Sequence, residues 1–196
     1  MEKSLTYSEY FFEKILLTST NQNKKSGYRL ISILLGSILL ALTSKISFVL
    51  PFTPVPVTLQ TFAVLFLSMV FGRNSVYMVG LWILEGIFGL PVFSKGVGIH
   101  YLLGPTGGYI IGFLVASYVC GYLAEYGFDK NFFKTFFCMI LGNLIIYFFG
   151  IFWLLRFVDF DVLKAVCIGI LPFVVGDIIK IVFATLILPS GWKLIK

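Results

Sequence analysis

The sequence predicts an all-α integral membrane protein, with six transmembrane helices in one compact bundle. Three observations carry this prediction. Of 196 residues, 59% are hydrophobic and 12% charged, about half the charged share of an ordinary soluble domain. The apolar residues come in runs long enough to cross about 30 Å of hydrocarbon, without the alternation of a transmembrane strand. The 22 Phe and 19 Gly suit lipid-facing surface and close helix contact, whereas a single soluble core in so short a chain could not bury that much apolar surface.

Residues 1–29 read as an N-terminal cytoplasmic tail. Tyr10, Phe11, Ile15 and Leu16 share one face of a short helix on the membrane surface; a partly ordered tail is the alternative. A polar patch spans 18–27, and the chain shows no cleavable signal-peptide pattern. Lys24, Lys25 and Arg29 abut the first apolar run and mark the cytoplasmic side. Segment 1 covers 30–50, where Ser37 and Ala41, beside Gly36, form a small-xxx-small step for another helix, internal or belonging to a partner. Lys45 should snorkel outward. Pro51, Pro54 and Pro56 exclude regular helix, so this stretch dips back against protein or a cavity.

Segment 2 (59–71) follows Thr58 and includes Gln60; the turn Gly72-Arg73-Asn74 leads to segment 3 (75–88), whose odd member is Glu85. A Gly-rich loop holds Lys95, Gly96, Gly98 and His100. A lone His is a weak metal candidate, and the chain shows no metal-ligand cluster. Segment 4 (106–123) opens with Gly107 and Gly108, which expose backbone at a helix start. Gly108, Gly112 and Ala116 also make a flat packing face. After the wet loop 125–130, segment 5 (132–155) carries Asn143, and a loop with Arg156, Asp159, Asp161 and Lys164 follows. Segment 6 (170–188) ends at Leu188-Pro189-Ser190-Gly191.

Segment 6 holds Asp177 and Lys180 in an otherwise apolar run. At i and i+3 they share one helix face, and such charges should face protein or a water-filled cavity. Two readings stand: a polar ligand site inside the bundle, or a mutual ion pair that locks the helix. Six spans divide the chain into 1–29, a transmembrane domain 30–189 and a cytoplasmic C-terminus 190–196. Ten basic residues then lie on the side of the termini (Lys3, Lys14, Lys24, Lys25, Arg29, Arg73, Lys130, Lys134, Lys193, Lys196). Four lie opposite (Lys45, Lys95, Arg156, Lys164), which puts both termini in the cytoplasm. The net charge of +6 reads as topology and lipid contact, not nucleic acid, because no basic stripe forms. Cys120, Cys138 and Cys167 read as buried small hydrophobes. No nucleophile–base constellation or ATP site appears, so the chain is not expected to be an enzyme.

Four motifs occur in order: Pro54-Val55-Pro56-Val57-Thr58-Leu59-Gln60-Thr61, Gly89-Leu90-Pro91-Val92-Phe93, Gly104-Pro105-Thr106-Gly107-Gly108-Tyr109, and Leu171-Pro172-Phe173 with Gly176-Asp177-Ile178-Ile179-Lys180. Together they resemble the BioY family, the biotin-specific substrate-binding subunits of energy-coupling-factor (ECF) transporters. The resemblance implies six helices, high-affinity capture of biotin at the plasma membrane, and three partners: a transmembrane coupling subunit and two cytoplasmic ATPases. No cofactor is implied. It points to Asp177 and Lys180 as ligand contacts, with Asn143, Gln60, Gly107 and Tyr109 beside them and Gly96 and Gly98 on an outer lid. Ser37 and Ala41 stand where the family carries a small-residue motif toward the coupling subunit, with Ser for the usual Ala. A stand-alone secondary transporter and a structural membrane protein remain the alternatives.

Overall fold

The computed structural model describes residues 4–16 and 22–195. Lys3, Lys196 and residues 17–21, which include the start of the polar patch, lie outside the described residues, as do the side chains of Ile15, Leu16, Lys24 and Lys25. The chain folds as an all-α bundle. Its helices are α1 (Tyr7–Phe11), α2 (Gln22–Lys45), α3 (Gln60–Phe71), α4 (Ser75–Ile87), α5 (Gly98–Leu103), α6 (Gly107–Ala124), α7 (Phe132–Leu154), α8 (Val162–Gly169) and α9 (Leu171–Ile195). Five helical stretches are long and apolar enough to cross a membrane: Ser26–Lys45, Gln60–Ile87, Gly107–Ala124, Phe132–Phe157 and Leu171–Leu194.

The second of these stretches contains a break. Gly72 takes φ 61°, ψ −149°, a backbone conformation that favours glycine. A Cβ there would meet Thr6 and Glu125. From this point α4 steps back along α6: the Ser75 hydroxyl donates to the Ser117 carbonyl (3.2 Å), and Trp82 packs on Phe113.

The seam between α6 and α7 is made by small residues, as the four-residue spacing predicts. A Cβ on Gly108 would meet the Phe149 carbonyl at 2.4 Å, one on Gly112 the Ile146 Cα at 2.9 Å, and one on Gly150 the Tyr109 ring at 2.4 Å. In lipid, where apolar burial gives no drive to associate, such close approach supplies the packing. The outward face of α7 instead shows Phe133, Phe137, Leu144, Phe148 and Phe152 exposed. The exposed Leu30, Ile31, Leu34, Leu35, Ile38 and Leu42 do the same on α2.

Several elements differ from expectation. The proline stretch closes a two-stranded antiparallel pair, β1 (Ser47–Phe48) with β2 (Val57–Thr58), and the Thr53 hydroxyl ties it to the Ile168 carbonyl (2.7 Å). This satisfies backbone groups that the prolines leave out of a helix. The loop after α7 contains α8, started by the Asp161 side chain accepting from the Lys164 N–H at 3.0 Å. Helix α9 runs through Pro189 to Ile195. Lys45 does not simply reach outward: its ammonium donates to the Phe93 carbonyl at 2.6 Å. Cys120 and Cys138 are buried, but Cys167 is exposed.

The short N-terminal helix docks on the far ends of α6 and α9. The Ser4 N–H donates to the Glu125 carbonyl (2.7 Å), and the Tyr7 hydroxyl donates to the Leu188 carbonyl. Trp192 receives the Tyr7 ring at 4.5 Å and the Tyr10 ring edge-on at 5.4 Å. Lys130 stands over the Trp192 ring at 4.3 Å. The indole N–H of Trp192 donates to Asp129 Oδ2 (2.7 Å), and Asp129 Oδ1 is buried without a partner. Burial pushes the Asp129 carboxyl up to about 6, against the Trp192 hydrogen bond and the nearby Lys130. Tyr7 is pushed up to about 12 by burial and then by Asp129.

Candidate functional site

A cavity opens between the start of α3, helix α5, the first turns of α6, the middle of α7 and the first half of α9. Counted out to its open mouth, it has a volume of about 530 Å³. Most of its walls are apolar or aromatic: Val55, Tyr101, Tyr109, Ile110, Phe113, Ile146 and Phe173. Its polar lining is Thr58, Gln60, Thr61, Thr106, Tyr147, Asp177 and Lys180, of which Thr61, Tyr147, Asp177 and Lys180 meet at one end through hydrogen bonds.

Helix α9 delivers that end because it inverts the usual amphipathic rule. Phe173, Asp177, Ile181, Ala184 and Leu188 are buried on one face, while Val175, Ile178, Ile179 and Val182 are exposed on the other. The charged residue thus points into the bundle and the aliphatic ones toward lipid.

Asp177 is 3% exposed, and four donors surround it. Its Oδ1 accepts from the Lys180 ammonium (2.8 Å) and the Thr61 hydroxyl (3.1 Å). Its Oδ2 accepts from the Tyr147 hydroxyl (2.5 Å) and the Asn143 amide (3.3 Å). A carboxylate offers about four lone-pair sites, so Asp177 is saturated. Lys180 is equally spent, since its ammonium also donates to the Thr58 carbonyl and to Thr61 Oγ1, both at 2.9 Å. The two charges form a closed network that ties α3, α7 and α9 together.

The expected site residues fall into three groups. Gln60, Tyr109, Asp177 and Lys180 line the cavity. The Tyr109 ring forms wall, while its hydroxyl is spent on the Gly169 carbonyl (2.7 Å). Asn143 lies behind Asp177 and lines a separate hollow on the α7–α9 surface, with Leu144, Tyr147 and Ile178. Gly96, Gly98 and Gly107 do not line the cavity. Gly96 sits under the Tyr101 ring, where a Cβ would approach to 2.6 Å, and Gly107 lets α5 come close, since a Cβ would strike the Leu102 carbonyl at 1.8 Å. Gly98 starts α5 at φ +75°. The loop before α5 is pinned by its carbonyls: Val92 accepts from Ser44 (2.7 Å) and from the Trp82 indole (3.0 Å). Ser37 does not stand open to a partner. It is 0% exposed, and its hydroxyl donates to Glu85 Oε1 at 3.1 Å; Ala41 is half-buried.

Sequence reasoning missed Thr61 and Tyr147. Tyr147 follows Asn143 by four residues on one helix, and that spacing places both on the face that meets Asp177. Thr61 adjoins Gln60 but carries no periodic signal of its own. Among the described residues, no three His, Cys, Asp or Glu gather as a metal site.

Comparison with known proteins agrees with this architecture. The sequence model of the BioY family matches residues 18–196. "Biotin transporter BioY2" of Lactococcus lactis subsp. cremoris is 38% identical over 167 residues, covering 84% of this chain and 90% of that protein. "Biotin transporter BioY" of Thermotoga maritima is 40% identical over 141 residues, covering 70% and 81%. A 2.1 Å crystal structure of "the S-component for biotin from an ECF-type ABC transporter" superposes with TM-score 0.79 at 24% identity, covering 89% of this chain and 95% of that one. That likeness establishes a shared fold.

Proposed function

The chain belongs to the BioY family, and from that premise we propose that it captures biotin outside the cell as the substrate-binding subunit of an ECF-type transporter. The observation that carries the reading is the cavity itself, with apolar and aromatic walls and one polar end built on Asp177 and Lys180. A small-molecule site needs mostly apolar lining and a few fixed polar groups. Biotin's fused rings and aliphatic tail match the walls. Its ureido group matches the polar end, where Asp177 and Lys180 contact it by exchanging bonds they now make to Thr58 and Thr61. Tyr101, stacked on Phe93 and seated over Gly96 at the edge of the outer loop, is the gate of the cavity in this reading. Gly98 and Gly107 serve this gate through backbone geometry, and Asn143 holds Asp177 from behind.

In this reading six helices cross the membrane: α2, α3, α4, α6, α7 and α9. The retreat of α4 along α6 after Gly72 supports two crossings within Gln60–Ile87. The basic bias of ten to four supports a cytoplasmic position for both termini. A transmembrane coupling subunit and two cytoplasmic ATPases complete the transporter. The exposed aliphatic face of α2 and the remaining surface of Ala41 meet the coupling subunit or lipid, while Ser37 serves the contact from inside through Glu85. The test is saturable binding of labelled biotin to the purified protein in detergent. A protein that binds no biotin while retaining its helical signal and thermal transition would sink the proposal.

A further inference from the structure

We infer that Glu85 is a docking residue for the coupling subunit, its carboxyl accepting a hydrogen bond from a donor side chain on a transmembrane helix of that partner laid against α2 and α4. The inference rests on the transporter reading above, and it concerns a surface away from the cavity, which Glu85 does not line. An acid within an apolar span is costly in lipid and as a rule faces protein or water. Asp177 obeys that rule, with four donors around it. Glu85 does not. It is half-buried on α4, between Leu84 and the outward Phe88, both exposed. Among the described residues, the Ser37 hydroxyl is the one donor that reaches its carboxyl, at 3.1 Å. That hydroxyl has a single proton and also lies 3.0 Å from the Leu34 carbonyl. The carboxyl therefore holds at most a share in one bond, out of about four lone-pair sites.

Snorkelling does not supply the rest. Helical side chains lean toward the N-terminus of their helix, which for α4 is the Ser75 end. The Glu85 carboxyl accordingly meets Ser37 and not the Lys45 end of α2. Ser37 precedes Lys45 by eight residues, or about 12 Å of helix, and the Lys45 ammonium is engaged by the Phe93 carbonyl. The surroundings say what the missing donor belongs to. On the turns of α2 and α4 that carry Ser37 and Glu85, the exposed residues are Leu34, Leu35, Ile38, Leu84 and Phe88, all apolar. Lipid tails bring no donor to such a surface, and a second copy of this chain would bring the same apolar turns. A helix of a different protein, with a hydroxyl, amide or cationic side chain at that depth, completes the bond. Ala41, one turn beyond Ser37 and half-buried, keeps the approach of such a helix close.

The test follows assembly and the isolated chain side by side. The purified coupling complex, its transmembrane subunit with both ATPases, is titrated against the labelled chain in nanodiscs. Glu85→Leu should weaken that association by about threefold to thirtyfold, the range of one hydrogen bond between helices in lipid. The same change should leave biotin affinity as it is, and the isolated chain should melt at or above the wild-type temperature, because an under-satisfied acid has left a lipid-facing surface. Glu85→Gln keeps an acceptor oxygen and should retain most of the association. Ser37→Ala should weaken association less than Glu85→Leu does, since the partner's donor stays with the carboxyl. Wild-type association of Glu85→Leu would overturn the inference. So would an isolated Glu85→Leu chain that melts well below wild type, which would make the residue a tie within the bundle. Dimers of the isolated chain that Glu85→Leu dissolves would make a second copy the occupant and overturn it as well. A wild-type chain that binds biotin but no coupling complex strikes the transporter reading, and the inference falls with it. One that binds the complex but no biotin strikes the ligand alone, and the Glu85→Leu titration still decides the role of Glu85.

Discussion

Neutralising Asp177 and Lys180, singly and together, tests both the closed network and its part in ligand capture. In Lys180→Met the carboxylate keeps Thr61, Tyr147 and Asn143 as donors but loses the ammonium at 2.8 Å. Orphaning a buried charge costs about 3–5 kcal/mol, and three surviving neutral donors hold the loss near about 3 kcal/mol. In Asp177→Asn the ammonium keeps the Thr58 carbonyl and Thr61 Oγ1, and its side chain is 17% exposed, so the loss is about 2 kcal/mol. The double variant leaves no orphan charge and should fall within about 1–2 kcal/mol of wild type, giving a coupling of about 3–4 kcal/mol. Unfolding by denaturing detergent measures these terms, and calorimetry measures biotin affinity beside them. Additive destabilisation would refute the closed network. A folded double variant with wild-type affinity would refute Asp177 and Lys180 as ligand contacts, since losing a charge-assisted bond should cost about tenfold to a hundredfold.

Four further outcomes are expected. Asp129 carries a folded-state pKa of about 6 against an ordinary 3.8, so its contribution is full below about pH 4 and is lost as pH rises through about 6. The loss is about 3 kcal/mol at most, and thermal melts of wild type and Asp129→Asn should converge at low pH and separate above it, with the variant the more stable. Gly112→Ala should destabilise by about 1–3 kcal/mol, because its Cβ meets Ile146 backbone at 2.9–3.1 Å; an unchanged melting curve would show that the α6–α7 seam yields. Cysteines at Arg73 and at Lys95 should label from opposite faces of the membrane, and labelling from one face would mean that Gln60–Ile87 crosses once. Desthiobiotin should compete with biotin, whereas a fatty acid of equal length should not; equal competition would remove ureido recognition.

The bundle was legible because lipid imposes a coarse rule that single residues report: a long apolar run is a span, and a charge within it must face inward. Asp177 could be placed by that rule alone. The β1–β2 pair could not, because two-residue strands have no period to read; only the prolines signalled that helix stops. Helix α8 was signalled by Asp161 three residues before Lys164, an N-cap pattern hidden among charges that looked like loop. The partners of Asp177 come from α3 and α7 as well as α9, and no local pattern states which faces of separate helices will meet. Ser37 shows the same limit: its small size was legible, but its inward turn toward Glu85 was not.

The docking of the first helix on the last has a consequence for biogenesis. Tyr7 bonds the Leu188 carbonyl, 181 residues away, and Trp192 completes its seat. Chain growth at about 5–20 residues per second takes roughly 10–40 seconds for a protein of this length. Through most of that interval the N-terminal segment lacks the α9 part of its seat, because Leu188 and Trp192 are made long after Tyr7. Protection of Tyr7 and Tyr10 from proteolysis therefore dates the moment when α9 is inserted, and chains halted before Trp192 should be cut at their N-termini even when their earlier spans are in the bilayer.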